Sequence, residues 1–390
     1  MENNDTILNI TLKKAGPPVL GEVPVLPPFT EHLGDFKGDE GNPFLAPRGV
    51  FLAKGSLFVA DTGQNRVFIW KKVPIGTTFC APDLVLGQEE NADTGRNAGK
   101  AVSAHSLQYP SGIWSDGQCL IVADAWNHRV LIWRTMPTEN GQAADVVLGQ
   151  PDFEHNQPNV KGIGANPTAQ SLNWPYGVFS DGVRLWIADT GNRRVLFFKA
   201  IPTESYTPAD GVIGKDSFEE RDYDPADAIW PYSVKIGPEG QLAIADTQYF
   251  RVLVWKHWEN AFAEKAQVLI GQSDFESNGA NQYGLYPQKN TLNWCYDACF
   301  FKNGLLVADT GNSRILWFDP IPENNNAPAQ NLIGKPDFTM GSENAATVFG
   351  TDQMLYWPFS ISTEGNLIVL ADTGNHRIVI VMSILVISDE

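Results

Sequence analysis

Residues 371–377 read Ala-Asp-Thr-Gly-Asn-His-Arg, and five other stretches are versions of them. Ala-Asp-Thr-Gly-Gln-Asn-Arg occupies 60–66, Ala-Asp-Ala-Trp-Asn-His-Arg 123–129 and Ala-Asp-Thr-Gly-Asn-Arg-Arg 188–194. Ala-Asp-Thr-Gln-Tyr-Phe-Arg follows at 245–251 and Ala-Asp-Thr-Gly-Asn-Ser-Arg at 308–314. Each copy sets Asp and Arg five apart, and the Asp-to-Asp spacing is 63, 65, 57, 63 and 63 residues. A fixed period of this size marks a repeat architecture, which overrides any domain count taken from length.

Working outward from the second copy gives the unit. Pro110–Ser115 reads as a short strand and Asp116-Gly117 as a hairpin turn. Leu120–Ala123 is a second strand, the Asp-to-Arg segment a tight turn, and Val130–Arg134 a third strand apolar on both faces. A Pro-rich loop leads to a fourth strand over Val146–Gly149. Four short strands joined by turns form a meander, and sheets apolar on both faces need cover on both sides. Neighbouring copies supply it, so the spacing predicts an all-β, six-bladed β-propeller of four-stranded antiparallel blades.

The inner strands open at Pro47, Pro110, Pro175, Pro231, Cys295 and Pro358, each 14 residues before its Asp, or 15 in the fourth unit. Blades are expected at about 45–88, 108–150, 173–215, 229–272, 293–335 and 356–383, within one domain over 1–390. The sixth unit lacks a fourth strand. Gly21 precedes Pro47 by 26 residues, as Gly149 precedes Pro175. Residues 18–22 are therefore expected to complete the last blade and close the ring, which removes exposed edges. Segments 7–12 and 384–387 are candidates for an outer addition.

The Asp-Thr-Gly-Asn-His-Arg pattern with its following apolar strand resembles the NHL repeat, a builder of six-bladed propellers. The resemblance covers about residues 18–383. It implies fold more than function, since the family includes secreted lyases, RNA- and protein-binding modules and many uncharacterised bacterial proteins. This chain departs from the pattern in its loops of roughly 17–26 residues after each fourth strand, and at Trp126 and Gln248-Tyr249-Phe250, where the turn glycine is missing.

A formal charge of −17 argues against a phosphate-binding surface, so no nucleic-acid partner is expected. Four cysteines make no disulfide framework. Cys295 and Cys299, read on one strand, stand roughly 13 Å apart, beyond bridging distance, and free buried thiols are expected. The N-terminus does not read as a signal peptide. The apolar run 378–387 is too short to span a bilayer. These features suggest a soluble cytoplasmic protein, or a secreted or periplasmic one if a signal has been removed. Asn4 and Asn9 fit the glycosylation pattern, which matters only after secretion.

The six Asp/Arg pairs are read as structural, because a catalytic site needs a few residues converging once. His128 and His376 lie within the same turn and read as surface residues. Aromatic residues cluster where inner strands begin: Tyr109, Trp174, Tyr176, Trp230, Tyr232, Trp294, Tyr296, Trp357 and Phe359. The topology places them with the long loops at one mouth of the channel, where they suit a ligand or partner. Because they repeat, the tryptophans are read first as wedges between blades, while the Tyr and Phe residues two positions later are open to either role. Unit one has Arg48 where others have aromatics, and unit five has Asp297, which could pair with Arg48, bind a cation or act as a base.

Asp297, Asn173 and Asn293 offer a sparse oxygen set for calcium. Motifs of zinc peptidases, serine hydrolases and P-loop enzymes are missing. The amidating lyases that resemble this fold use channel-facing histidines on a metal, and the inner-strand segments here hold no histidine. The favoured reading is a binding propeller without cofactor, recognising a small ligand or protein at the mouth. The alternatives are a calcium-dependent lyase or lactonase-like hydrolase in the channel, and an extracellular adhesion module.

Overall fold

The computed structural model describes residues 26–39, 42–76, 80–341 and 354–384. Six four-stranded antiparallel sheets form a ring, with a two-residue-per-strand hairpin beside the first. The inner strands Gly49–Ala53, Pro110–Ser115, Pro175–Ser180, Pro231–Ile236, Cys295–Phe301 and Pro358–Glu364 neighbour one another in that order, and the last returns to the first. The fold is therefore a six-bladed β-propeller. Among the described residues no helix is long and apolar enough to cross a membrane.

Packing follows from the two-faced apolar strands. The third strands Arg129–Trp133, Arg194–Phe198 and Arg314–Phe318 are buried along their whole length. Val130 and Ile132 pack toward the third blade, while Leu131 and Trp133 pack toward the first. Alternate residues of one strand thus belong to the cores on its two sides, as period-two geometry requires.

The outer position of the sixth blade belongs to Thr30–Phe36, which pairs with Arg377–Ser383. This corrects the assignment of that strand to 18–22, which, like 7–12 and 385–387, lies outside the described residues. The strand Thr-Glu-His-Leu-Gly-Asp-Phe shows little alternation, because an outer strand is held by backbone pairing and is buried mainly at its end. A bulge falls between His32 and Gly34. A Cβ at Gly34 would stand 2.2 Å from the Gly76 carbonyl oxygen, so only glycine fits.

The seam between the sixth and first blades is stitched by side chains. Ser362 Oγ accepts from Leu52 N at 2.8 Å, and Glu364 accepts from Lys54 N and Gly55 N at 2.6 and 3.0 Å. These acceptors satisfy amides of the first inner strand and of the turn that follows it.

All four cysteines are free. Cys295 and Cys299 are buried as expected, but Cys80 is exposed and Cys119 partly so. Both of these sit where the chain leaves the core, at a loop and at the start of a second strand.

Candidate functional site

The repeated turn sets the frame of the mouth. Each Asp is fully buried, accepts at one oxygen from an amide about 16 residues upstream, and at the other from its Arg. Asp189 takes Asn173 N and Arg194 Nε, both at 2.7 Å. Arg194 also donates to the carbonyls of Thr168 and Ser171, at 2.9 and 3.0 Å, and of Phe218. The guanidinium therefore pins two long loops to the blade. Burial raises the Asp61 carboxyl to about 6 against the pull of Arg66, which leaves it ionised at neutral pH.

The residue before each Arg is left-handed, with φ between 51° and 58°. At four of these positions the side chain bonds to the next blade. Asn65 Oδ1 accepts from Tyr109 N, His128 Nδ1 from Trp174 N, Ser313 Oγ from Trp357 N and His376 Nδ1 from Ala46 N, at 3.0 to 3.2 Å. The left-handed backbone costs about 1 kcal/mol, which such a bond offsets. His128 is correspondingly buried rather than a surface residue, and burial lowers its pKa to about 4 against an opposing interaction with the Asn173 side chain. His376 is exposed, as read from sequence.

The donor amides belong to residues just before the inner strands. Ala46, Tyr109, Trp174, Trp294 and Trp357 are themselves left-handed. Trp230 is not, and there both Ile229 N and Trp230 N reach Asp246 Oδ1. The tryptophans do not wedge fully between blades. Trp294 and Trp357 are 45% and 42% exposed, and Trp174 and Trp230 are half-buried with ring centroids 6.1 Å apart.

The inner strands then carry a β-bulge at their second residue in blades three to six. The bulge turns two successive side chains toward the axis, such as Tyr232 and Ser233, or Tyr296 and Asp297. The first of each pair closes a ring of aromatics. Tyr176 stacks on Tyr232 at 4.6 Å, Tyr232 meets Tyr296 edge-on at 4.6 Å, and Tyr296 meets Phe359 at 4.0 Å. Arg48 completes the ring, its guanidinium 4.2 Å from the Phe359 ring centre and 5.1 Å from that of Tyr109. Tyr109 stacks at 4.4 Å on Trp126, a residue singled out from sequence only as a departure from the repeat. Burial pushes the Tyr176 phenol up to about 12. Burial opposes the Arg48 charge, yet the surrounding tyrosine oxygens hold its pKa above the ordinary value.

Above this ring lies a cavity of about 690 Å³ over blades five, six and one. Arg48, Trp294, Tyr296, Trp357, Phe359 and His376 line it. Below the ring is a chamber of about 20 Å³, room for about one water. There Asp297 meets Lys235 at 3.5 Å and accepts from Ser360 Oγ and Ile361 N at 3.2 and 2.9 Å. Asp297 is thus engaged by Lys235, not by Arg48 as one expectation had it. The inward turn of Lys235 is a product of the bulge and is invisible to a simple alternation count.

The three oxygen donors considered for calcium are not brought together. Asp297 lines the chamber, Asn293 the mouth cavity, and Asn173 neither. Asn173 and Asn293 each pack on the turn glycine of their own blade, Gly191 and Gly311, where a Cβ would stand 2.6 Å from the amide group.

No protein-family model matches the chain, and no curated protein does. Solved structures share the propeller shape at low identity. A streptogramin B lyase is 10% identical with a TM-score of 0.44, covering 90% of this chain and 97% of its own. A catalytically inactive virginiamycin B lyase from Staphylococcus aureus with quinupristin is 11% identical with a TM-score of 0.42, covering 92% and 99%. Hydrazine synthase of Kuenenia stuttgartiensis is 12% identical with a TM-score of 0.41, covering 87% and 77%. These likenesses concern shape alone.

Proposed function

We propose that the protein is an NHL-type propeller whose looped mouth binds a small ligand without transforming it. The carrying observation is the cavity of about 690 Å³ with Trp294 and Trp357 half-exposed on its wall. That volume lies within the range of small-molecule sites, and its concave shape favours a compact ligand over a flat protein surface. Half-exposed indoles fixed at their backbone by left-handed geometry lose little freedom when covered, so they suit recognition.

The test is a fragment panel read by ligand-observed NMR against the wild type and a Trp294→Ala/Trp357→Ala variant. Hits that vanish in the variant support the reading. Hits retained by it, or no hits at all, overturn it. Metal content measured by mass spectrometry checks the competing reading. About one calcium per chain, kept through purification, would favour the metal-dependent lyase or hydrolase.

A further inference from the structure

The mouth cavity has one permanent charge on its wall, that of Arg48. Among the residues lining it there is no carboxylate, in a chain of formal charge −17. Arg48 has no ion pair among the described residues, and its buried Nε has no acceptor. Phe359 and Tyr109 flank the guanidinium and fix it in place. Beside it, the buried Tyr232 hydroxyl supports the guanidinium charge but meets no partner in hydrogen-bond geometry. Asp297, the carboxylate of the neighbouring chamber, already has Lys235 and three donors, Ser360 Oγ and the amides of Ile361 and Ala298. Buried donors without acceptors are costly, and a cation held between aromatic faces keeps its forward N–H groups available.

From this arrangement we infer that the ligand is a small organic anion with a flat apolar body, an aryl carboxylate or its like. Its head group lies against Arg48 at the floor of the cavity, and its body lies between Trp294 and Trp357. The inference rests on the binding reading above and adds the charge of the ligand. Guanidinium and carboxylate match in a two-point hydrogen-bonded geometry, and both lose water in the aromatic surroundings. The acidic remainder of the protein repels anions, so a preference for them reports on this site alone.

Calorimetry at physiological ionic strength tests it with 2-naphthoate, its neutral counterpart 2-naphthalenemethanol, and acetate. The wild type is expected to bind naphthoate roughly 10- to 100-fold more tightly than the alcohol, the usual worth of a charge-assisted hydrogen bond. Acetate, lacking the body, binds weakest. Arg48→Gln erases the preference and Arg48→Lys retains part of it, with melting curves confirming that both fold. Equal affinity for naphthoate and the alcohol, or a preference that survives in Arg48→Gln, overturns the anion assignment and leaves the mouth as a binding site. No binding of either aromatic probe overturns both. The probe comparison needs no variant, so it stands even if Arg48→Gln fails to fold.

Discussion

Two rings of side chains lie on the same face of the propeller and obey opposite rules. The outer one, built from the Asp/Arg turns, repeats six times, is fully buried and is rich in satisfied charges. The inner one, at the channel mouth, is uneven: Arg48, Ser111, Tyr176, Tyr232, Tyr296 and Phe359 occupy one equivalent position. Its buried polar atoms include several without partners, among them Arg48 Nε, Ser111 Oγ and Tyr232 Oη. Repetition of a satisfied Asp/Arg pair is what stability demands of every blade. Variation with unmet donors has no such explanation, and at Arg48 it falls on the wall of the cavity.

If that division holds, the heaviest loss should come from the outer ring. Arg194→Met leaves the buried Asp189 carboxylate without its counter-charge, held only by Asn173 N and Asn192 Nδ2, and takes a donor from three loop carbonyls. A loss of about 3–5 kcal/mol in urea unfolding is expected. A loss below about 1 kcal/mol would place the turn pairs with ordinary surface ion pairs.

The next test uses pH. The His128 pKa is lowered in the folded chain to about 4, whereas an unfolded histidine titrates near 6.5. The unfolded state therefore binds more protons between those values. Stability is whole above about pH 6.5 and falls as pH drops toward 4, by about 2 kcal/mol at pH 5. The geometry agrees, since protonating Nδ1 would break the bond it accepts from Trp174 N. His128→Asn should keep the bond, as Asn65 does in the first blade, and remove this part of the pH dependence. Parallel unfolding curves for variant and wild type from pH 7 to 5 would show the histidine to be charged or exposed.

These two cases also mark how far the sequence could be read. The turn pairs were legible because six copies agreed on type and spacing, and agreement of that kind has a structural cause. The mouth positions were legible by topology, since the inner strand and the turn share a face. The partner of Asp297 was not, because a bulge after Pro231 and Cys295 shifts the alternation that a strand reading assumes. The burial of His128 was hidden for another reason. Its acceptor role depends on a left-handed backbone that Asn, Ser, Arg and Phe also occupy in other copies. The closing strand was misplaced because its only regular features, Leu33 and Phe36, are weaker than the spacing match at Gly21.

The inner ring should be cheap to alter. Trp357→Ala exposes little that is not already wet, since the indole is 42% exposed. A change of about 1 kcal/mol or less in unfolding free energy is expected. A loss comparable to that of Arg194→Met would return the tryptophans to the role of blade wedges and weaken the case for a site.

The smallest effect has the opposite sign and tests the repeat itself. In five turns the residue after Asp is Thr, and its hydroxyl crosses to the next blade's first inner-strand carbonyl. Thr62 reaches Pro110, Thr190 Pro231, Thr247 Cys295, Thr310 Pro358 and Thr373 Pro47, at 2.5 to 2.7 Å. The second blade has Ala125 there, fully buried, and so lacks the tie to Pro175. The flanking dihedrals match the other copies, with His128 at φ 53° and Asp124 at φ −90°. A threonine should therefore fit without moving the backbone. Ala125→Thr adds one buried hydrogen bond and two heavy atoms, for a gain of about 0.5–1.5 kcal/mol. A destabilised variant would mean that the space at Ala125 has been taken by the neighbouring Trp126–Tyr109 stack. In that event the second blade gave up a structural bond to hold an aromatic pair at the mouth, and the two rings compete for the same turn.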